Sequence, residues 1–305
     1  MALGAVCEGA VFLTNLREAK TKRDQLSLGV KSFEALSNDL AVSLCAHTTT
    51  FPARSSQSAT LYAALSLVAA AIEKQAERVL GDRAEKTTTS TNLLVAIPGA
   101  RGVAAVAKLS SELGVPLKNP YEAEVGHHSG ADGVVNDAEA DWFLLLTGGS
   151  PKSKAHTPHI YLRVPTDRGA VLPGAPKALT VLAAKLSALA DPLSYVYAED
   201  TLAYDDIGNT ISIPNEKQAP GTSDRARAAV EGYFTKLQSV RSLISFGLAC
   251  RGKIVGVLNI NYSDIGLFED AADQHLIRAV IRPYLPILAD IAAAIQEHLT
   301  DGENE

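Results

Sequence analysis

The sequence predicts an α+β fold. Three observations carry that expectation. Apolar residues recur three or four apart in helical segments that open and close the chain. Residues 241–264, RSLISFGLACRGKIVGVLNINYSD, read as two strands joined by a tight turn at CRGK. ADWFLLLTGG and HIYLRVP read as a second strand pair joined by a loop.

The elements follow in order. A first helix is expected over 11–44, where Leu26, Val30, Phe33, Leu36, Leu40 and Leu44 share one face. HTTTFPARSS interrupts it with Pro52 and a polar cluster. A second helix is expected over 57–80. Its seam is Leu61, Leu65, Val68, Ile72 and Val79, with Gln75 filling the gap. The steps are heptad-like, so this seam either pairs with a copy of itself or faces the chain's own core. GDRAEKTTTSTN reads as a loop, NLLVAIPG as a strand over 92–99, and ARGVAAVAKLSSELG as a helix stopping at Gly114 with Pro116 beyond. Strand, PGARG and helix invite a phosphate-loop reading, but GK[ST] and the G-x-G-x-x-G spacing are both missing. Residues 119–141 are polar and irregular.

GAPKALTVLAAKLSALAD reads as a helix, with Pro176 in its first turn and Leu179, Leu182, Leu186 and Leu189 on one side. PLSYVYAED is a short strand that leaves Tyr195 and Tyr197 on the same face. A long loop over 201–221 precedes the helix TSDRARAAVEGYFTKLQSV, which Thr222 or Ser223 would cap. In the hairpin, Ile244, Phe246 and Leu248 face one way, and Leu243, Ser245, Gly247 and Ala249 the other. Its second strand, KIVGVLNINY, is expected to be apolar on both faces, as in a strand covered from both sides. The segment FEDAADQHLIRAVIRPYLPILADIAAAIQEHL is helical, and Pro283 and Pro286 must kink or interrupt it. The tail, 300–305, is expected to be disordered.

The chain of 305 residues has room for one large domain or two modest ones, and its apolar fraction suffices for a sizeable core. A net charge of −6, spread along the chain, argues against general affinity for nucleic acid or anionic membrane. The basic run REAKTKR reads as the wet face of a helix. Cys7, Cys45 and Cys250 form neither a disulfide framework nor a zinc signature and suit a reducing compartment. The opening MALGAVCEGAVFL lacks a basic n-region, and the apolar run ATLYAALSLVAAAI is too short to span a bilayer. A cytoplasmic protein is therefore expected, and an anchor carried on further residues stays compatible with it.

The run VRSLISFGLACRGKIVGVLNI, followed by LFEDAADQHLIRAV, resembles the GAF domain family. In that family an Arg-Ser start leads into a strand, a Gly turn and a GVL strand, and a terminal helix begins just after an acidic stretch. The likeness covers about 141–299 and weakens over 80–140. It implies a central antiparallel sheet with helices on both faces, a GAF/PAS-like domain over 57–299 with an insert at about 82–140, and an N-terminal helical extension over 1–56. It further implies that the helices 57–80 and 268–299 lie together and make a homodimer. A small-molecule ligand would sit on the other face, among 177–190, 195–221 and 222–237, and the loop 201–221 would close over it. The hairpin would then be the sheet floor.

The candidate ligand-binding residues are Tyr195, Tyr197, Asp200, Asp205, Tyr233 and Ser245. Tyrosine offers an apolar body with a polar tip, suited to an enclosed organic ligand, and equally suited to core packing. In EDTLAYDD, Glu199, Asp200, Asp205 and Asp206 could hold a cation or stand as a solvated acidic loop. His127, His128, His156 and His159 match no standard metal spacing, and Asp132, Asn136 and Asp137 lack the calcium-loop rhythm. One branch of the family reduces free methionine sulfoxide with cysteines. Here Cys250 sits at the hairpin turn with no resolving thiol in the similar region. The cyclic-nucleotide asparagine-lysine motif and a bilin-attachment cysteine are not recognisable, and neither are a Ser-His-Asp order and a paired-carboxylate context.

No cofactor, metal site or catalytic set is assigned from these residues. The first expectation is a regulatory sensor that signals through its dimer helices to a separate output protein. An interaction scaffold with a non-functional pocket is the alternative, and a GAF-fold redox or hydrolytic enzyme the third reading.

Overall fold

Residues that alternate between two environments at period two build one six-stranded sheet. The computed structural model describes residues 54–119, 142–150, 159–164, 175–187, 194–201, 239–267 and 271–301. The helices expected over 11–44 and 222–237, most of the loop 201–221, and the tail past Asp301 lie outside these residues.

The described elements are α1 (Arg54–Leu80), β1 (Thr89–Pro98), α2 (Gly99–Leu113), β2 (Trp142–Gly149), β3 (Tyr161–Val164), α3 (Ala175–Ser187), β4 (Ser194–Ala198), β5 (Ser242–Cys250), β6 (Lys253–Tyr262), α4 (Ala271–Ile281) and α5 (Leu285–Thr300). The strand order is β3-β2-β1-β6-β5-β4, and every neighbouring pair is antiparallel. The α+β class is therefore correct. The strand expected at 92–99 starts three residues earlier, because the threonines and serine of TTTSTN pair with the end of β6 through Thr89 and Tyr262.

The hairpin turn is Arg251–Gly252, with φ of 51° and 75°. Two consecutive left-handed residues make the two-residue turn whose twist matches paired strands. β6 also carries a bulge. Leu248 faces Gly256 and Ala249 faces Ile254, so Val255 has no partner in the ladder. Past that bulge the alternation of β6 is fixed: Leu258, Ile260 and Tyr262 face one side, Val257, Asn259 and Asn261 the other.

One side of the sheet is a large apolar core. Leu93, Val95 and Ile97 of β1, Ile244, Phe246 and Leu248 of β5, and Leu258 and Ile260 of β6 pack there with α1, α4, α5 and part of α2. The seam of α1, at Leu65, Val68, Ile72, Gln75 and Val79, is buried within the chain's own core. Of the two readings open for that seam, the core-facing one holds: its side chains contact the sheet and α5. Glycine lets α2 come close to β2: a Cβ on Gly102 would lie 2.0 Å from the Phe143 ring. The terminal helical segment breaks where expected, through a short 3₁₀ turn, Arg282–Tyr284, that contains Pro283.

The other side of the sheet packs a smaller cluster. Leu94, Ala96, Leu144, Leu162, Val164, Val196, Leu243 and Val257 meet Ala178, Leu179 and Leu182 of α3. Among the described residues, no helix is long and apolar enough to cross a membrane.

Candidate functional site

The expectation that β6 is apolar on both faces fails at its C-terminal half. Asn259 and Asn261 point to the α3 side, in the middle of the sheet. All but one of their cross-strand neighbours are polar too, the exception being Leu243 opposite Asn261 on β5. Asn92 of β1 lies opposite Asn259, and Ser90 opposite Asn261. On β5, Ser245 lies opposite Asn259. Five polar side chains thus occupy adjacent positions on three neighbouring strands, where an apolar floor would be the default.

Two hydrogen bonds run along this patch in one direction. The Ser245 hydroxyl donates to Asn259 Oδ1 at 2.7 Å, and Asn259 Nδ2 donates to Asn92 Oδ1 at 3.0 Å. Ser245 is fully buried, and Asn92 and Asn261 are each 6% exposed. Replacing such positions by leucine would gain about 1.5–3 kcal/mol of apolar burial each. The fold forgoes that gain on β1, β6 and β5.

The other candidate residues do not share this patch. Tyr195 and Tyr197 face the apolar core on the opposite side of the sheet, because they pair with Phe246 and Ile244 rather than with Ser245. The Tyr195 ring lies against Phe246, with centroids 6.3 Å apart, and under the Arg278 guanidinium of α4 at 4.3 Å. Arg278 Nη1 also donates to the Tyr195 hydroxyl at 3.4 Å. The two tyrosines and Ser245 therefore cannot line one pocket. Period-two alternation puts Val196, not the tyrosines, beside Ser245. Asp200 is held in an ion pair, with Arg241 Nη2 at 3.2 and 3.1 Å from its two oxygens. Asp205 and Tyr233 lie outside the described residues, as do Asp206, His127, His128 and His156. Among the described residues, no group of three His, Cys, Asp or Glu could hold a metal ion.

A separate open cleft of about 690 Å³ lies at the hairpin end, between the turn and α5. Arg101, Arg251 and Lys253 line it together with Asp290, Glu297 and Asp301, so its charge is mixed. Cys250 borders it, with Sγ 3.3 Å from Asp290 Oδ1. Desolvation, followed by the Asp290 carboxylate, pushes the thiol above its ordinary range, and Arg251 pulls only weakly the other way. That environment suppresses the thiolate, the reactive form of a cysteine.

The asparagine patch was within reach of the sequence. By local pattern TSTN reads as mostly loop, and NIN as the tail of an apolar strand. The alternating asparagines of NIN were the available signal, but only pairing with β1 shows that they meet further polar groups. No family model, curated protein or solved structure matches the chain.

Proposed function

We propose that this chain is a regulatory, GAF-type protein that binds a small molecule on the asparagine face of its sheet. It signals through α1 and α5 to a separate partner. The observation that carries this reading is the polar patch on three neighbouring strands, with Asn92, Ser245 and Asn261 buried and Ser90 and Asn259 half-buried. Buried polar groups at a sheet centre are costly unless something pairs with them, and a ligand is such a partner. The sequence likeness over the hairpin and the packing of α1 with α5 on the opposite side support the same reading.

Signalling requires the ligand to bind two states of the protein unequally. Tyr195 connects β4 to α4 through Arg278, so in this reading it belongs to the route from sheet to helices and does not touch the ligand. Dimerisation would use the outward side of α1, where Ala59 and Ala63 are exposed and Leu67 is 56% exposed. The reading is tested by native mass spectrometry on protein purified from its own host. The expected result is a dimer carrying an extra small mass that denaturation removes. A bare monomer under the same conditions overturns it.

A further inference from the structure

We infer that the cleft at the hairpin end binds a small zwitterion of the amino-acid or short-peptide class. Its ammonium group lies against α5, and its carboxylate against the hairpin turn and α2. This site is on the α5 side of the sheet and does not rest on the ligand face proposed above. Its first support is how the cleft is built. β1 and β6 pair only as far as Val95 and Gly256. Beyond that point Ala96, Ile97 and Pro98 pair with β2 alone, and Val255 is bulged out of the ladder with β5. α5 spans the resulting gap: Gln296 Nε2 donates to the carbonyl oxygens of Ala96 and Ile254, so one side chain ties both strands. Pro98, Val255 and Gln296 all line the cleft, whose volume of about 690 Å³ lies within the range of small-molecule sites.

The second support is the sorting of charge. Asp290, Glu297 and the capping residue Asp301 come from α5, spaced so that they share one side of the helix. Arg101 comes from the first turn of α2, and Arg251 and Lys253 from the hairpin turn and the start of β6. One element thus supplies the acids and the others supply the bases.

The third support is that these opposite charges do not neutralise each other. Among the described residues, none of the six side chains forms an ion pair. Asp290 accepts a hydrogen bond only from Cys250 Sγ, at 3.3 Å, and the other five side chains make none. A guanidinium presents a fork of donors that matches a carboxylate, and carboxylates aligned on one helix match an ammonium group. A molecule with a single charge pairs with one set and leaves the other set unpaired. A molecule with both charges pairs with both sets at once.

The test is a titration of the ¹⁵N-labelled whole chain, followed by NMR at the backbone amides of 251–253 and 290–301. The probes are trialanine, a zwitterion, its N-acetyl derivative, an anion, and its C-terminal amide, a cation. Trialanine is expected to shift those amides saturably. Each capped probe is expected to bind about tenfold more weakly or worse, through loss of one charge-assisted pair. Arg101→Gln and Glu297→Gln, both at exposed positions, are each expected to weaken trialanine binding about tenfold. Arg101→Gln should leave the affinity for the cationic probe unchanged, and Glu297→Gln that for the anionic probe, which a general loss of structure would not do. Equal affinity for the three probes, no saturable shift with trialanine, or unchanged trialanine affinity in both variants overturns the inference.

Discussion

The two faces of the sheet are built from the same strands and follow opposite rules. On the side of α1, α4 and α5, inward positions of β1, β5 and β6 include Leu93, Val95, Ile97, Ile244, Phe246, Leu258 and Ile260, all buried and apolar, with polar residues limited on β1 to Thr89 and Thr91 at its start. On the α3 side the same strands offer Asn92, Ser245, Asn259 and Asn261 beside Leu94, Leu243 and Val257. The first face does what stability asks of a sheet. The second gives up apolar burial at its centre, and stability alone does not account for that. The contrast separates a face that holds the fold from a face that is available for recognition.

Neighbouring residues of β5 give the sharpest way to break this comparison. Phe246→Ala empties a fully buried ring site on the apolar side and should cost about 3–5 kcal/mol in chemical denaturation. A loss below about 1 kcal/mol would mean that this side is not the stabilising core. Gly102→Ala comes next. Its new methyl would overlap the buried Phe143 ring, and overpacking of this kind costs about 1–3 kcal/mol. An unchanged melting midpoint would show that α2 approaches β2 less closely than described.

Ser245→Ala, one residue from Phe246, should cost less, about 1 kcal/mol, because only the donor to Asn259 Oδ1 is removed. A loss as large as that of Phe246→Ala would erase the distinction between the faces. The smallest stability effect is expected at the exposed Asp290. Asp290→Asn should leave stability unchanged and speed alkylation of Cys250. Removing the carboxylate lowers the thiol pKa, so more thiolate is present at a given pH. The rise in alkylation rate with pH should accordingly begin at lower pH in the variant. An unaltered profile would show that Asp290 does not act on the thiol.

Much of the framework was legible in local pattern. The positions of β2, β3, α3, β4, the β5–β6 hairpin and the proline break before α5 follow from alternation, Gly and Pro. Two features stay ambiguous in local pattern. The α1 seam has spacing that serves a coiled coil or a core helix equally, and only its contacts with β1, β2 and α5 assign it to the core. Tyr195 and Tyr197 share one face, as alternation requires, but the residues themselves do not say which face. Pairing with Ile244 and Phe246 puts them opposite the asparagines. The patch itself is assembled from residues up to 171 positions apart, Ser90 and Asn261, and no local window contains both.

Local sequence was enough for the α+β class, most of the described strands and helices and a tight turn within CRGK, because these depend on periodicity and backbone conformation within a few residues. The tertiary structure alone decided which side of each strand faces which neighbour. A strand's alternation is symmetric until register and the β6 bulge orient it. Only then do Asn92, Asn259, Asn261 and Ser245 come together on one face.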